Sequence, residues 1–121
     1  PVHGSLDFIR PQPGPQDARR AVLTGACNLY HGCCHNRLYE KSMDILGALY
    51  KSAFFVMRVK RWRETGRFVK KLSELALETD GEDGEILSAF ADFRAGRAKE
   101  EDFVKLSDAL IKWSAGVIRR S

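Results

Sequence analysis

Apolar residues recur at helical spacing through most of the chain after residue 15. Val22, Ala26, Leu29 and Cys33 follow one another at intervals of three and four residues, which is the spacing of one helix face. This pattern predicts a first helix from about Gln16 to the mid-thirties. A second helix is predicted over about Arg37–Arg63, and its inner face carries Leu38, Ile45, Leu46, Leu49, Ala53, Val56 and Met57.

The remaining apolar groups predict shorter elements. Thr65-Gly66 is a plausible break before a third helix, although the sequence leaves open whether residues 37–79 form one helix or two. Residues 79–84, TDGEDG, predict a loop. A short helix around Ile86–Phe93 should end at Gly96, and the last helix should open with the acidic turn Glu100–Asp102.

All four prolines lie in the first 15 residues, and none follows. This distribution predicts an extended arm over residues 1–15 and a single helical domain over residues 16–121, an all-α bundle of four to five helices. The arm carries an apolar patch formed by Leu6, Phe8 and Ile9. We expect this patch to dock on its own domain or on a neighbouring molecule.

Two adjacent phenylalanines do not fit a single core stripe. Phe54 and Phe55 are about 100° apart on a helix, so both cannot point into one narrow core. One of them is expected to meet another helix or another subunit. A face of small residues, Ala21, Gly25, Asn28 and Gly32, predicts close approach of a further helix, either within one bundle or between molecules.

The composition, 44% hydrophobic and 30% charged over 121 residues, is that of a globular domain. No apolar run approaches the roughly 20 residues of a membrane span. The three cysteines are an odd number and two are adjacent, which favours a reduced, intracellular setting over a disulfide scaffold. The net charge of +4 permits an acidic partner without requiring one.

Positive charge is concentrated in one segment, which we call the basic segment. It holds Arg58, Lys60, Arg61, Arg63, Arg67, Lys70 and Lys71. These cations could meet successive phosphates of a nucleic acid, with Trp62 and Phe68 as stacking faces. Residues 74–85 carry six carboxylates and no basic residue, so the two blocks could instead pair with each other.

A second candidate site is the group Cys27, His31, Cys34 and His35. These residues fall within about a quarter of a helix circumference, and sulfur and imidazole are ligands that zinc prefers. One rigid helix rarely supplies four ligands, so packing and solvent exposure are the alternative interpretation. No other cofactor is indicated.

Signatures of catalysis are sparse. The chain has no glycine-rich phosphate loop, no nucleophile elbow and no His-Glu-x-x-His, and no small-molecule substrate is evident. The leading hypothesis is a non-catalytic helical interaction module that self-associates, as a dimer or higher, through apolar helix faces and the arm. Nucleic-acid binding by the basic segment is the first alternative, and a metal or redox site is the second.

Overall fold

The structure, a computed structural model, describes residues 15–67 and 69–120. Within these ranges the chain forms five α-helices and no strand, so the predicted all-α fold is confirmed. The helices are α1 Pro15–His35, α2 Met43–Thr65, α3 Leu72–Glu78, α4 Gly81–Arg94 and α5 Phe103–Arg120. Leu6, Phe8 and Ile9 of the predicted arm lie outside the described residues, as does Phe68.

The core lies where α1, α2, α4 and α5 meet. α1 packs against both α2 and α5, and α4 packs against the same two helices. The predicted α1 stripe is buried, with each of its four side chains at most 2% exposed. Tyr50 and Trp113 are among the largest fully buried side chains, and the Tyr50 hydroxyl donates a hydrogen bond to the Leu106 carbonyl at 2.7 Å. Among the described residues no helix combines the length and hydropathy required to cross a membrane.

The small residues of α1 allow α2 to approach closely within the same chain. A methyl group added at Gly25 would lie 2.7 Å from Val56 Cγ2, and one added at Gly32 would lie 2.9 Å from Leu49 Cδ2. Both distances are shorter than van der Waals contact, so a side chain at either glycine would displace the Val56 or Leu49 side chain of α2. The small face therefore serves packing inside the molecule, which was one of the two interpretations of the sequence.

The predicted start of the second helix at Arg37 is wrong. α1 is followed by a π-helical turn, Asn36–Glu40, and α2 begins only at Met43. Lys41 adopts left-handed backbone geometry at φ 51°, and the Ser42 hydroxyl caps α2 by accepting a hydrogen bond from the Ile45 N–H. The buried Asn36 side chain bonds to both the N–H and the carbonyl of Ser42, which fixes the turn.

The displaced start changes which apolar residues are buried. Leu38, assigned to the inner face of a continuous helix, lies in the π-helical turn and is 62% exposed. Ile45 in the first turn of α2 is 39% exposed. The helical periodicity therefore held only from Leu46 onward, because the local turn chemistry of Asn36, Lys41 and Ser42 broke the helix.

Residues 37–79 form two helices. Gly66 ends α2 at φ 76°, and its N–H donates to the Trp62 carbonyl. The predicted loop over residues 79–84 is wrong from Gly81 onward, since α4 begins there and only Thr79 and Asp80 separate it from α3. Glu82 and Asp83 lie in the first turn of α4, where carboxylates are favourable against the helix dipole. The acidic character that indicated a loop marks the start of a helix.

Candidate interaction groove

A groove of about 820 Å³ opens between α1, α2 and α4, and we refer to it below as the groove. Its lining is largely apolar and includes Leu49 and Phe55, with the buried side chains of Leu29 and Phe90 beneath them. The two adjacent phenylalanines divide as their 100° separation requires. Phe54 is buried, with its ring centroid 5.3 Å from that of Phe90, whereas Phe55 is 53% exposed at the groove wall.

Guanidinium groups lie over the aromatic rings at this site. The Arg58 guanidinium carbon is 4.7 Å from the Phe54 ring centroid and 5.7 Å from that of Phe55. Arg58 also donates to the Lys70 carbonyl at 3.4 Å. The Arg94 guanidinium carbon lies 5.8 Å from the Phe90 centroid. Cation–π attraction holds these side chains across the apolar surface and keeps their charge at the groove.

A second depression, with a volume of about 740 Å³, lies beside the groove between α3 and α4, and we call it the α3–α4 cleft. Phe54 and Arg94 line both depressions, so the two adjoin each other. Lys70 and Lys71 contribute cations to the cleft, and Lys51 contributes another to the groove. None of the described residues that line either depression carries a carboxylate.

The basic segment is divided between two environments. Lys60 Nζ lies 3.4 Å from Asp83 Oδ2 and 3.5 Å from Glu64 Oε2. Arg61 and Arg67 both pair with the Glu78 carboxylate, and Arg61 also donates to the Glu78 carbonyl at 3.2 Å.

The other cations of the basic segment face solvent, the groove or the cleft. Arg63, Lys70 and Lys71 are exposed, and none of the three pairs with a carboxylate of the described residues. Trp62 is half-buried. The structure thus brings three of the seven predicted cations onto carboxylates, two into the cleft, one over the phenylalanines and one into solvent.

Asp83 joins three helices. Its Oδ1 accepts a hydrogen bond from Trp113 Nε1 of α5 at 2.7 Å, and its Oδ2 faces Lys60 of α2. Trp113 is only 1% exposed, so its N–H has no access to bulk water. Asp83 is therefore a structural residue of α4 that satisfies a buried donor.

The cysteine–histidine group does not converge on one point. His31 and His35 are exposed, Cys27 and Cys34 are partly buried, and all three thiols are free. Across the described residues no group of three or more histidine, cysteine or acidic side chains is arranged to hold a metal ion. The zinc site at Cys27, His31, Cys34 and His35 stays a prediction, which elemental analysis of untagged protein would test.

The most strongly perturbed thiol is Cys33, which lies on the core side of α1. Burial, with a smaller contribution from Cys34, raises the pKa of Cys33 to about 12. Burial likewise raises the pKa of Tyr50, whose hydroxyl donates to Leu106. Because the thiolate is the reactive form, Cys33 is a packing residue and not an activated nucleophile.

Sequence reasoning missed the groove and two of its cations. Lys51 and Arg94 stand apart from the basic segment, so charge density along the chain did not single them out. The sequence contained one indication of the groove, namely that Phe55 lies on the polar side of α2. Lys51 and Arg58 lie four and three residues away from it, on the same face of the helix. Arg94 joins this face only through the packing of α4 on α2, which no local pattern specifies.

Comparison of the chain with protein-family models, with curated proteins and with solved structures finds no match in any of the three.

Proposed function

We propose that this protein is a non-catalytic helical interaction module that binds a protein partner through the groove. The observation that carries the proposal is Phe55, a large aromatic side chain left 53% exposed beside an apolar depression of about 820 Å³. Half-exposed aromatic residues next to apolar depressions are typical of interface anchors. The helical bundle, in this proposal, is the scaffold that presents the groove.

The lining of the groove favours binding over catalysis. It combines aliphatic and aromatic side chains with Lys51, Arg58 and Arg94. No histidine, cysteine or carboxylate is among the described residues that line it, so its surface offers no acid–base pair. The cations instead supply orientation and charge selectivity to a bound partner.

Self-association, predicted from the sequence, is one form that such an interface could take. In a two-fold interface each copy presents the same surface to the other. Groove packed against groove would therefore bring Lys51, Arg58 and Arg94 of both copies together, and like charges in a desolvated interface are unfavourable. This consideration favours a different protein as the partner, and it leaves self-association as an alternative that experiment separates.

Two measurements test the proposal. Light scattering on protein eluting from size exclusion, from about 10 μM to about 1 mM, detects self-association across the range of weak interfaces. Selection from a displayed library of amphipathic helical peptides detects partner binding even while the natural partner is unidentified. The affinities of the selected peptides are then measured for the native protein and for the variants Phe55→Glu and Ile45→Glu. Ile45 serves as the control position, because it is a half-exposed apolar residue of α2 that lies outside the groove lining.

We expect peptides that bind the native protein and Ile45→Glu but not Phe55→Glu. The matched control introduces the same charge on the same helix, so a selective loss assigns the binding to the groove. A library that yields no binder, together with a monomer at all concentrations, would contradict the proposal. Binding that survives Phe55→Glu would also contradict it.

Nucleic-acid binding through the basic segment stays the alternative from the sequence. Its cations Lys60, Arg61 and Arg67 already face carboxylates of the same chain. A phosphate backbone would have to compete with those carboxylates, which weighs against this alternative.

A further inference from the structure

We propose that the groove and the α3–α4 cleft together take a single amphipathic α-helix whose polar face is acidic. This inference rests on the proposed function, because it specifies the chemistry of the partner at the same site. It is supported by the adjacency of the two depressions, by the charge along them and by the hydrogen-bonding state of their walls.

The proposed site is elongated because the groove and the cleft lie next to each other. The groove and the cleft share Phe54 and Arg94, so the two depressions adjoin each other at these side chains. Apolar side chains that are at least partly exposed line both depressions, with Leu49 and Phe55 in the groove and Leu72 in the cleft. A helix with apolar residues at i, i+3, i+4 and i+7 presents a stripe that suits such a floor.

Charge selects the polar face of the ligand. Lys51 lies in the groove, Arg94 at the junction, and Lys70 and Lys71 in the cleft, so cations occur along the whole path. None of these four forms an ion pair with a described residue. The chain carries 16 carboxylates, yet none of the described lining residues is acidic. Carboxylates on the ligand would meet these cations.

The walls select a helix over an extended segment. They are formed mainly by α-helices, whose backbone N–H and carbonyl groups are used within each helix. An extended peptide would leave its own backbone polar groups unpaired against an apolar floor, which is unfavourable. A helix satisfies these groups internally. A nucleic acid is a poorer fit, since its phosphates suit the cations but its hydrophilic backbone does not suit the floor.

The test uses three synthetic peptides of about 16 residues, a length of about 24 Å as a helix. All three carry the same leucines at i, i+3, i+4 and i+7, and their polar positions are Glu, Gln or Lys. Affinities are measured by fluorescence anisotropy with the full chain at about 50 mM and about 500 mM salt. We expect the Glu peptide to bind about tenfold more tightly than the Gln peptide at low salt, and the Lys peptide to bind most weakly.

Charge-reversal variants show which cations produce the preference for the Glu peptide. Arg94→Glu and, as a second variant, Lys51→Glu should each remove most of the tenfold preference for the Glu peptide. Lys105→Glu is the matched control, because Lys105 is exposed on α5 and lines neither depression. It should keep the preference. Circular dichroism establishes that each variant is folded before its affinities are compared.

Each of the other possible outcomes contradicts a specific part of this inference. Equal binding of the three peptides overturns the acidic ligand and leaves the proposed function standing. No binding of any peptide overturns this inference, and the proposed function is then decided separately by the library selection and the light scattering described above. A mixed-sequence oligonucleotide that displaces the Glu peptide and binds more tightly than it overturns the helix in favour of a polyanion. Concentration-dependent dimerisation that Phe55→Glu abolishes, and that blocks the peptides, overturns it in favour of a second copy.

Discussion

Positive charge is held in two different ways on neighbouring parts of this molecule. In the basic segment, Lys60, Arg61 and Arg67 face Asp83 and Glu78, and the cations serve to tie α2 and the following turn to α3 and α4. Along the groove and the cleft, cations stand beside apolar side chains with no carboxylate in the described lining. The density of basic residues in a sequence is therefore a poor measure of the charge available to a partner.

The largest expected effect is a difference in stability between variants of Phe54 and of Phe55, the two adjacent phenylalanines that line the groove. Phe54→Ala should lower the free energy of unfolding by about 3 kcal/mol, because it leaves a cavity beside Phe90. Phe55→Ala should lower it by less than about 1 kcal/mol, because its side chain is already half exposed. Urea denaturation followed by circular dichroism measures both. Equal losses would show that Phe55 belongs to the core and that the groove is not an open surface.

The next largest effect concerns the carboxylates that pair with the basic segment. Asp83→Ala should destabilise the fold by about 2 kcal/mol, since the buried Trp113 N–H loses its acceptor. Glu85→Ala, an exposed carboxylate of the same helix, is the control and should change stability by less than about 0.5 kcal/mol. If the two variants were equally stable in urea, the structural role assigned to Asp83 would be wrong.

Alkaline pH should lower the free energy of unfolding, because Cys33 of α1 is buried as the neutral thiol, while the arginines keep their charge. The folded state raises the pKa of Cys33 from 9.0 to about 12, so its contribution is fully present below pH 9 and is lost as pH rises toward 12. Between pH 8 and pH 10 this linkage should remove on the order of 1 kcal/mol. Denaturation at several pH values measures the loss.

The control for the alkaline effect is Cys33→Val, which carries no titrating group at this position. Its stability should fall less between pH 8 and pH 10 than that of the native protein. Parallel pH profiles of the two proteins would mean that Cys33 titrates equally in the folded and unfolded states.

The smallest effect tests the basic segment itself. Glu78→Gln removes the carboxylate partner of Arg61 and Arg67, and we expect a loss of about 0.5 kcal/mol, because these pairs are partly solvated. The released charges should strengthen binding to a mixed-sequence oligonucleotide and steepen its salt dependence. Tight, salt-dependent oligonucleotide binding by the native protein would instead favour the nucleic-acid alternative. Its loss on neutralising Arg63, Lys70 and Lys71 would support that alternative further.

The helical class and the contents of α1 could be predicted from the sequence, because the period of its apolar residues matches one buried face. The division of Phe54 from Phe55 followed from helix geometry alone. The start of α2 could not be predicted in this way, since it depends on the side chain of Asn36 reaching Ser42 six residues away. Residues 79–84 misled because glycine and acidic residues occur both in loops and at helix starts.

The candidate site was less accessible to sequence reasoning than the fold. The pairing of basic and acidic blocks could be anticipated as an alternative, but which cations would be left without carboxylates depended on how α3 and α4 turn back on α2. Arg94 lies 36 positions after Arg58 in the chain, and both side chains line the groove. Such a juxtaposition arises from helix packing, and a single sequence carries no local trace of it.

The anchoring of α4 at its first turn affects how a ligand would bind in the groove. Asp83 ties the start of this helix to α2 and α5, and the same helix carries Phe90 and Arg94 at its far end. Because α4 is anchored in this way, the side of the groove that it forms is already ordered before a ligand binds. A ligand would lose its own conformational freedom on docking but would not have to order its receptor, so rigidifying the ligand should improve its affinity more than enlarging it.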